Sequence, residues 1–360
     1  MILNSVKDNT AVEGINFNIC SPCSFEKIAK LGGGAYGNVY KILLPDGKTY
    51  AALKEIKPRR EEMFGFSTST VRELFTLAKL EHENIIKLVN VCIEGRQNGV
   101  CSMILPTLMF VMELCKGNLR EVLRGSIIVT EAQRRTIMSQ CLSGLAYIMH
   151  IIHRDLKPDN LLISYDGVLK IGDLGLARFK VTEAKNVHYT PFIGTVNYGS
   201  PEILLGSTDY DESSDMWSVG CIMAELYTST VLFPGSTIVE VFQSMCLICG
   251  SITNGTIAGI ETNKNFCLVE NLPQYRISTL SAHLKTHISS ILACSLIERI
   301  LRYNKTQRLT AEQALNDLYF TLNQAKDENL SELLQERFNF DVFQLNRHEF
   351  NPFAFTKVFR

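Results

Sequence analysis

The sequence predicts an α+β chain in two lobes, a small and mostly antiparallel sheet with one main helix followed by a larger, mainly helical body. Short β-type runs divided by turn residues fill residues 25–56 and return before Leu114. Apolar residues at helical spacing dominate from Asn118 onward. The 360 residues, 46% hydrophobic and 20% charged, suffice for two cores and are too apolar to stay disordered.

Residues 1–24 read as a polar extension without a clear period. Strands are expected over Phe25–Leu31, Gly37–Leu43 and Thr49–Ile56, with Pro45-Asp46-Gly47 turning the chain between the last two. Val71, Leu74, Phe75 and Ala78 recur at helical spacing within Ser69–Leu80. Two more strands follow, Ile85–Val91 and Leu108–Leu114. The change from strand-rich to helix-rich at 113–116 marks a hinge between lobes at 25–113 and 117–320, and a crevice of that kind commonly takes a ligand. Helices are expected over Asn118–Arg124, Thr130–His150, Asp215–Leu226, Ile238–Cys249, Ile288–Leu301 and Thr310–Asp317. The tail, 321–360, carries Phe338, Phe340, Phe343, Phe350, Phe353 and Phe355, and so much aromatic surface is expected to pack back on the body.

A net charge of -1 gives no bulk attraction to nucleic acid or anionic membrane. No apolar run is long enough to span a bilayer, and Met1–Cys23 lacks the basic start and apolar run of a cleavable leader. The 11 scattered cysteines read as reduced thiols of an intracellular protein, nuclear, cytoplasmic or both. Cys20-x-x-Cys23 and Cys246-x-x-Cys249 lack a spacing that joins them in a zinc site, and His283 and His287 read as a packing pair on one helix face.

Leu31-Gly32-Gly33-Gly34-Ala35-Tyr36-Gly37-Asn38-Val39 fits G-x-G-x-x-G-x-V. Its glycines let backbone N–H groups approach phosphates, and a strand follows where a dinucleotide fingerprint would open a helix. Downstream, His153-Arg154-Asp155-Leu156-Lys157-Pro158-Asp159-Asn160 puts a carboxylate, a cation and a carboxamide on one short loop. Lys170-Ile171-Gly172-Asp173-Leu174-Gly175 adds a second carboxylate on the next strand-turn. That set suits transfer of a phosphoryl group from a magnesium-bound nucleotide to a hydroxyl.

In this order the motifs resemble the eukaryotic protein kinases over about Phe25–Phe320. The resemblance implies the bilobal protein-kinase-like fold, ATP and Mg²⁺. It implies that Lys54 of Ala51-Ala52-Leu53-Lys54 holds the α- and β-phosphates and pairs with Glu73. It places adenine at the backbone of Glu113 and Cys115, with Met112 at the rear pocket, Leu31 and Gly32, Gly33, Gly34 and Gly37 over the nucleotide, and Val39, Ala52 and Leu162 around the base. Asp155 is the implied base or orienter for the acceptor hydroxyl, Lys157 the stabiliser of developing charge, and Asn160 and Asp173 the metal ligands.

Asp-Leu-Lys-Pro with Thr195 resembles the serine/threonine class. Glu202 of Ser200-Pro201-Glu202 is expected to pair with Arg308, and Asp215 to brace the catalytic loop. Ser69-Thr70-Val71-Arg72-Glu73, Gly175-Leu176-Ala177-Arg178 and Leu232-Phe233-Pro234-Gly235 resemble the cyclin-dependent kinases. That likeness implies a cyclin-like regulatory subunit, protein substrates and an upstream activating kinase, in cell-cycle or transcription control, with no direct nucleic-acid or membrane partner. Thr190 stands at the activating phosphothreonine, clamped by Arg72, Arg154 and Arg178. Tyr36 is either an inhibitory phosphorylation site or a loop aromatic over the phosphates. Gly199 stands where this family usually carries an arginine, and residues 92–107, with His82-Glu83-Asn84, resemble transcription-elongation members. The alternatives are a pseudokinase scaffold, against which Lys54, Asp155, Asn160 and Asp173 argue, and a cyclin-independent kinase of a neighbouring family.

Overall fold

A computed structural model of the chain describes residues 19–20, 25–34, 37–56, 66–94, 107–125, 127–180, 195–257, 259–263, 265–273, 278–322 and 327–334. They fall into two compact units. Of the described residues, the smaller takes those through Glu81 and Lys87–Glu113, and the larger His82–Ile86 and those from Leu114 onward.

The smaller unit is a six-stranded sheet. Its strands are β1 (Ile19–Cys20), β2 (Glu26–Gly34), β3 (Gly37–Leu43), β4 (Tyr50–Ile56), β5 (Leu88–Glu94) and β6 (Thr107–Glu113), in the order β1-β5-β6-β4-β3-β2. Every pairing is antiparallel except β1 on β5, a short parallel edge within the stretch expected to be a plain extension. Side chains alternate along a strand, so Ile42, Leu44, Ala51, Leu53, Met109 and Val111 gather on one buried face. Helix α1 (Thr68–Lys79) starts where the Ser67 side chain accepts the Thr70 amide, one of the donors a helix start leaves unpaired. The expected strand at Ile85 begins only at Leu88, because Asn84 and Ile86 spend their backbone groups on Ile171 of the larger unit. Cys92 is disulfide-bonded, so the expectation of reduced thiols throughout does not hold for it.

The larger unit contains β7 (Cys115–Asn118), α2 (Leu119–Arg124), α3 (Glu131–Tyr147), β8 (Ile151–Ile152), β9 (Leu161–Ser164), β10 (Leu169–Ile171) and β11 (Arg178–Phe179). Strands β10-β9-β7 form one small sheet and β11-β8 another. There follow α4 (Pro201–Leu204), α5 (Ser213–Thr228), α6 (Ile238–Cys249), α7 (Cys267–Glu270), α8 (Leu280–His287), α9 (Ile291–Ile300), α10 (Ala311–Leu315) and α11 (Leu318–Thr321). Capping boxes start α3, α6 and α10: Thr130 with Gln133, Thr237 with Glu240 and Thr310 with Gln313. Helix α5 is buried from Ser214 to Leu226, as expected of a helix apolar on every side. Its Trp217 stacks on Phe233 and Tyr303.

Residues 327–334 cross the larger unit, burying Leu330, Leu333 and Leu334. Lys116 Nζ donates to the Ser331 carbonyl at 2.9 Å, and the Leu330 amide to the Gly167 carbonyl at 3.0 Å. Gly167 sits at φ +80, and a Cβ there would lie 1.9 Å from Asn329 Oδ1, so this crossing requires glycine. The tail phenylalanines from Phe338 onward lie outside the described residues. Among the described residues no helix is long and apolar enough to cross a membrane.

Candidate active site

In the smaller unit β2 and β3 close a glycine-rich hairpin, with Gly32 opposite Val39, Gly33 opposite Asn38 and Gly34 opposite Gly37. A Cβ on Gly37 would stand 2.0 Å from the Glu55 carbonyl, so two backbones meet there at a distance only glycine permits. Among the described residues nothing lies within 4 Å of where a Cβ on Gly32 would be, and Leu31 beside it is half-buried. Val39 pairs with Lys54 across the ladder, and Ala52 is two residues from Lys54, so all three stand on one sheet face. Lys54 Nζ meets Glu73 Oε1 of α1 at 2.6 Å, with side-chain exposures of 12% and 5%. On the same helix Arg72 Nη1 and Thr76 Oγ1 are buried without a hydrogen-bond partner among the described residues. At the end of β6, Glu113 donates its amide to the Lys87 carbonyl at 3.0 Å and accepts the Lys87 amide on Oε1 at 2.7 Å. Met112, the expected rear-pocket residue, is half-buried opposite Ala52.

In the larger unit the segment 153–160 is held from several directions. Both oxygens of the buried Asp215 carboxylate accept backbone amides, from His153 at 2.7 Å and Arg154 at 2.9 Å. Burial pushes the Asp215 carboxyl above its ordinary range, against the pull of those two amides. His153 Nε2 lies 2.9 Å from the Gly172 carbonyl, an acceptor only, and the Asp155 amide donates to Nδ1 at 3.3 Å. Those partners assign the neutral Nε2–H tautomer. Asp155 Oδ2 receives Lys157 Nζ at 2.7 Å and Asn160 Nδ2 at 3.2 Å, and Oδ1 receives the Thr195 amide at 3.3 Å. Lys157 Nζ also reaches Thr195 Oγ1 at 3.0 Å, while Asn160 Nδ2 donates to the Asp155 carbonyl at 2.7 Å. The Gly172 amide donates to the Asn160 carbonyl at 2.9 Å, which ties Asp173 to the loop.

Arg154 and Asp173 both adopt left-handed backbone, at φ 70 and 55. Such strain in non-glycine residues collects at functional sites. The Arg154 guanidinium reaches the Leu176 carbonyl at 2.6 Å and the Tyr210 hydroxyl at 2.7 Å, and Arg178 the Ala177 carbonyl at 3.3 Å. Leu174, next to Asp173, is fully buried. Cys115 and Leu162 lie on the paired strands β7 and β9. Thr190 and Tyr36 lie outside the described residues.

The buried Arg308 uses all five guanidinium donors. It grips Glu202 at 2.6 and 2.7 Å and bonds the carbonyls of Arg302, Ser213 and Tyr303. Burial pushes the Cys221, Cys246 and Cys249 thiols up, so they remain neutral. No group of three or more His, Cys, Asp or Glu able to hold a metal occurs among the described residues.

Sequence reasoning did not single out Arg120, Tyr198 and Glu225, which close a buried polar ring. The available signal was Glu225 itself, an acid on the apolar C-terminal half of its helix, which must find a buried partner.

A family model described as protein kinase domain matches residues 25–320. Cyclin-dependent kinase 9 of Danio rerio is 33% identical over 315 residues, covering 86% of this chain and 84% of that one. Cyclin-dependent kinase 9 of Homo sapiens is 33% identical over 305 residues, covering 82% and 80%. Among solved structures, the yeast RNA Pol II CTD kinase CTDK-1 complex matches with a TM-score of 0.73 and 28% identity, over 88% of this chain and 99% of that one.

Proposed function

The chain belongs to the protein kinases and, within them, to the cyclin-dependent kinases, and from that membership we propose how its residues serve transfer of the γ-phosphoryl group of ATP to protein serine and threonine hydroxyls. The observation that carries the reading is the Asp155 cluster, a carboxylate held on both oxygens by Lys157, Asn160 and the Thr195 amide. Those contacts orient Asp155 to accept the proton of an acceptor hydroxyl. Lys157, already 2.7 Å from that carboxylate, is placed to meet negative charge as it develops nearby.

The donor set fits magnesium. Asn160 commits its nitrogen to Asp155, which leaves a hard carboxamide oxygen, and Asp173 adds a carboxylate. Magnesium, when bound, neutralises the nucleotide phosphates. Lys54, kept in place by Glu73, would bind the α- and β-phosphates, and the space above Gly32 fits backbone N–H donation to phosphate oxygens. The backbone of Glu113 and Cys115 would hold adenine, among Leu31, Val39, Ala52 and Leu162.

A cyclin-like subunit would act on α1, which carries Glu73. Phosphate on Thr190, added by an upstream kinase, would draw Arg72, Arg154 and Arg178, and the partnerless Arg72 Nη1 supports that role. Likeness to cyclin-dependent kinase 9 and to a CTD kinase complex supports a nuclear role in transcription. The test is phosphate transfer onto a generic basic protein by complex captured from native cells, with partner identification. Asp155→Asn should lower the rate at least about 10²-fold, and an undiminished rate would overturn the assignment.

A further inference from the structure

We infer that Arg120 is a positioning residue that locks the segment Thr195–Tyr198, and with it the seat of the protein acceptor, to the catalytic loop. The inference rests on the reading that Asp155, oriented in part by the Thr195 amide, receives the acceptor hydroxyl. Arg120 stands at the second position of α2, and each nitrogen of its guanidinium has a different partner. Nη1 donates to Glu225 Oε1 at 2.6 Å, Nε to Asp159 Oδ2 at 3.2 Å, and Nη2 to the Tyr198 hydroxyl. Tyr198 completes the ring by donating to Glu225 Oε2 at 2.6 Å. Burial, together with the hydrogen bond to Glu225, holds the phenol well above its ordinary range, so it remains a donor.

The three partners come from three elements. Asp159 is one residue from Asn160 on the catalytic loop, Glu225 is in α5, and Tyr198 is three residues from Thr195. Packing behind that last segment is incomplete. A cavity of about 10 Å³ lies behind it, lined by Asp155, Thr195, Gly199 and Ser200 among others, and the buried Ser200 hydroxyl has no partner among the described residues. Gly199 contributes no side chain. The segment is held by polar ties: Thr195 meets the catalytic loop directly, through Asp155 and Lys157, and the Arg120 ring adds a second tie to that loop at Tyr198. Because Lys54, the glycine hairpin and Asn160 are not partners of Arg120, loosening it should affect the acceptor more than the nucleotide.

The test compares Arg120→Ala and Tyr198→Phe with the parent in the partner-bound full chain, measuring KM for a generic basic protein and for ATP separately. Arg120→Ala should raise the acceptor KM about tenfold and leave the ATP KM within about twofold. Millimolar methylguanidinium should restore much of the loss in Arg120→Ala and none in Tyr198→Phe, where the guanidinium is still present. Arg120→Ala leaves Glu225 buried and unpaired, so if it fails to fold, Tyr198→Phe decides, with an expected rise in acceptor KM of about threefold. Unchanged acceptor KM in folded Tyr198→Phe, equal rises in both KM values, or no rescue by methylguanidinium would overturn the inference. A parent complex without turnover would overturn the underlying kinase reading instead.

Discussion

Helix α1 of the smaller unit and the 153–160 loop of the larger one both carry residues to which the proposal gives a part in phosphoryl transfer, and their polar groups are satisfied differently. On α1, Arg72 Nη1 and Thr76 Oγ1 are buried without partners among the described residues. On the loop, both oxygens of Asp215, both ring nitrogens of His153 and both oxygens of Asp155 are matched. An unmatched buried donor costs roughly 1–3 kcal/mol, so α1 gains by acquiring a partner and the loop does not. The loop is held in place in advance, while α1 keeps buried donors for which the proposed regulatory subunit or phosphate would supply partners. A few kcal/mol of differential contact is enough to shift a helix between two placements.

The largest effect that could break this comparison is expected from Asp215→Asn. The amide oxygen can accept one of the two loop amides, but its NH₂ group would face the other donor. A fall in kcat of about 10²-fold and a stability loss of about 2–4 kcal/mol should follow, read by steady-state kinetics and denaturant unfolding. A variant matching the parent in both would mean that the loop is not held from Asp215.

Glu73→Gln comes next. The isosteric amide keeps an acceptor for Lys54 but removes the charge from a contact whose side chains are 12% and 5% exposed. The expected outcome is a rise in ATP KM of about tenfold, with the acceptor KM little changed, because Glu73 pairs with Lys54 on the nucleotide side. This is the reverse of the pattern expected for Arg120→Ala. Identical KM patterns in the two variants would erase the distinction between the units.

Much of the site was legible in the sequence because its residues are close together in the chain. Asp155, Lys157 and Asn160 share eight residues with His153, and a loop that short leaves them no way to disperse. Lys54 and Glu73 were legible as an ordered pair, each on an element with a clear period. The Arg120 ring was not, since its members are separated by 78 and 105 residues and only the fold brings them together. The crossing of 327–334 was also hidden. Its leucines look like any amphipathic stretch, and Gly167 shows its requirement only through a left-handed φ. The start of β5 was read three residues early, because Ile85 and Ile86 have strand-like side chains while the Ile86 amide goes to Ile171 of β10 and the Ile85 amide to the His82 carbonyl.

The smallest expected effect concerns one carboxylate in each unit. Asp46 accepts the Lys48 and Thr49 amides at 2.9 and 2.8 Å, and Asp211 accepts the Ser213 amide at 2.9 Å beside Lys305. Burial works to raise both pKa values, but the hydrogen bonds and the neighbouring lysines outweigh it, so both lie below 3.8. A carboxyl whose folded pKa is depressed adds stability above its unfolded pKa, and that stability is lost as pH falls through the folded value. Asp46→Asn and Asp211→Asn should therefore each cost under about 1 kcal/mol near neutral pH, since both sites are partly solvated. The cost should vanish in strong acid, as calorimetric melting at falling pH would record. With one residue in each compact unit, each substitution should move a different transition. If both move the same one, the two units unfold together, and what separates them is their chemistry rather than independent stability.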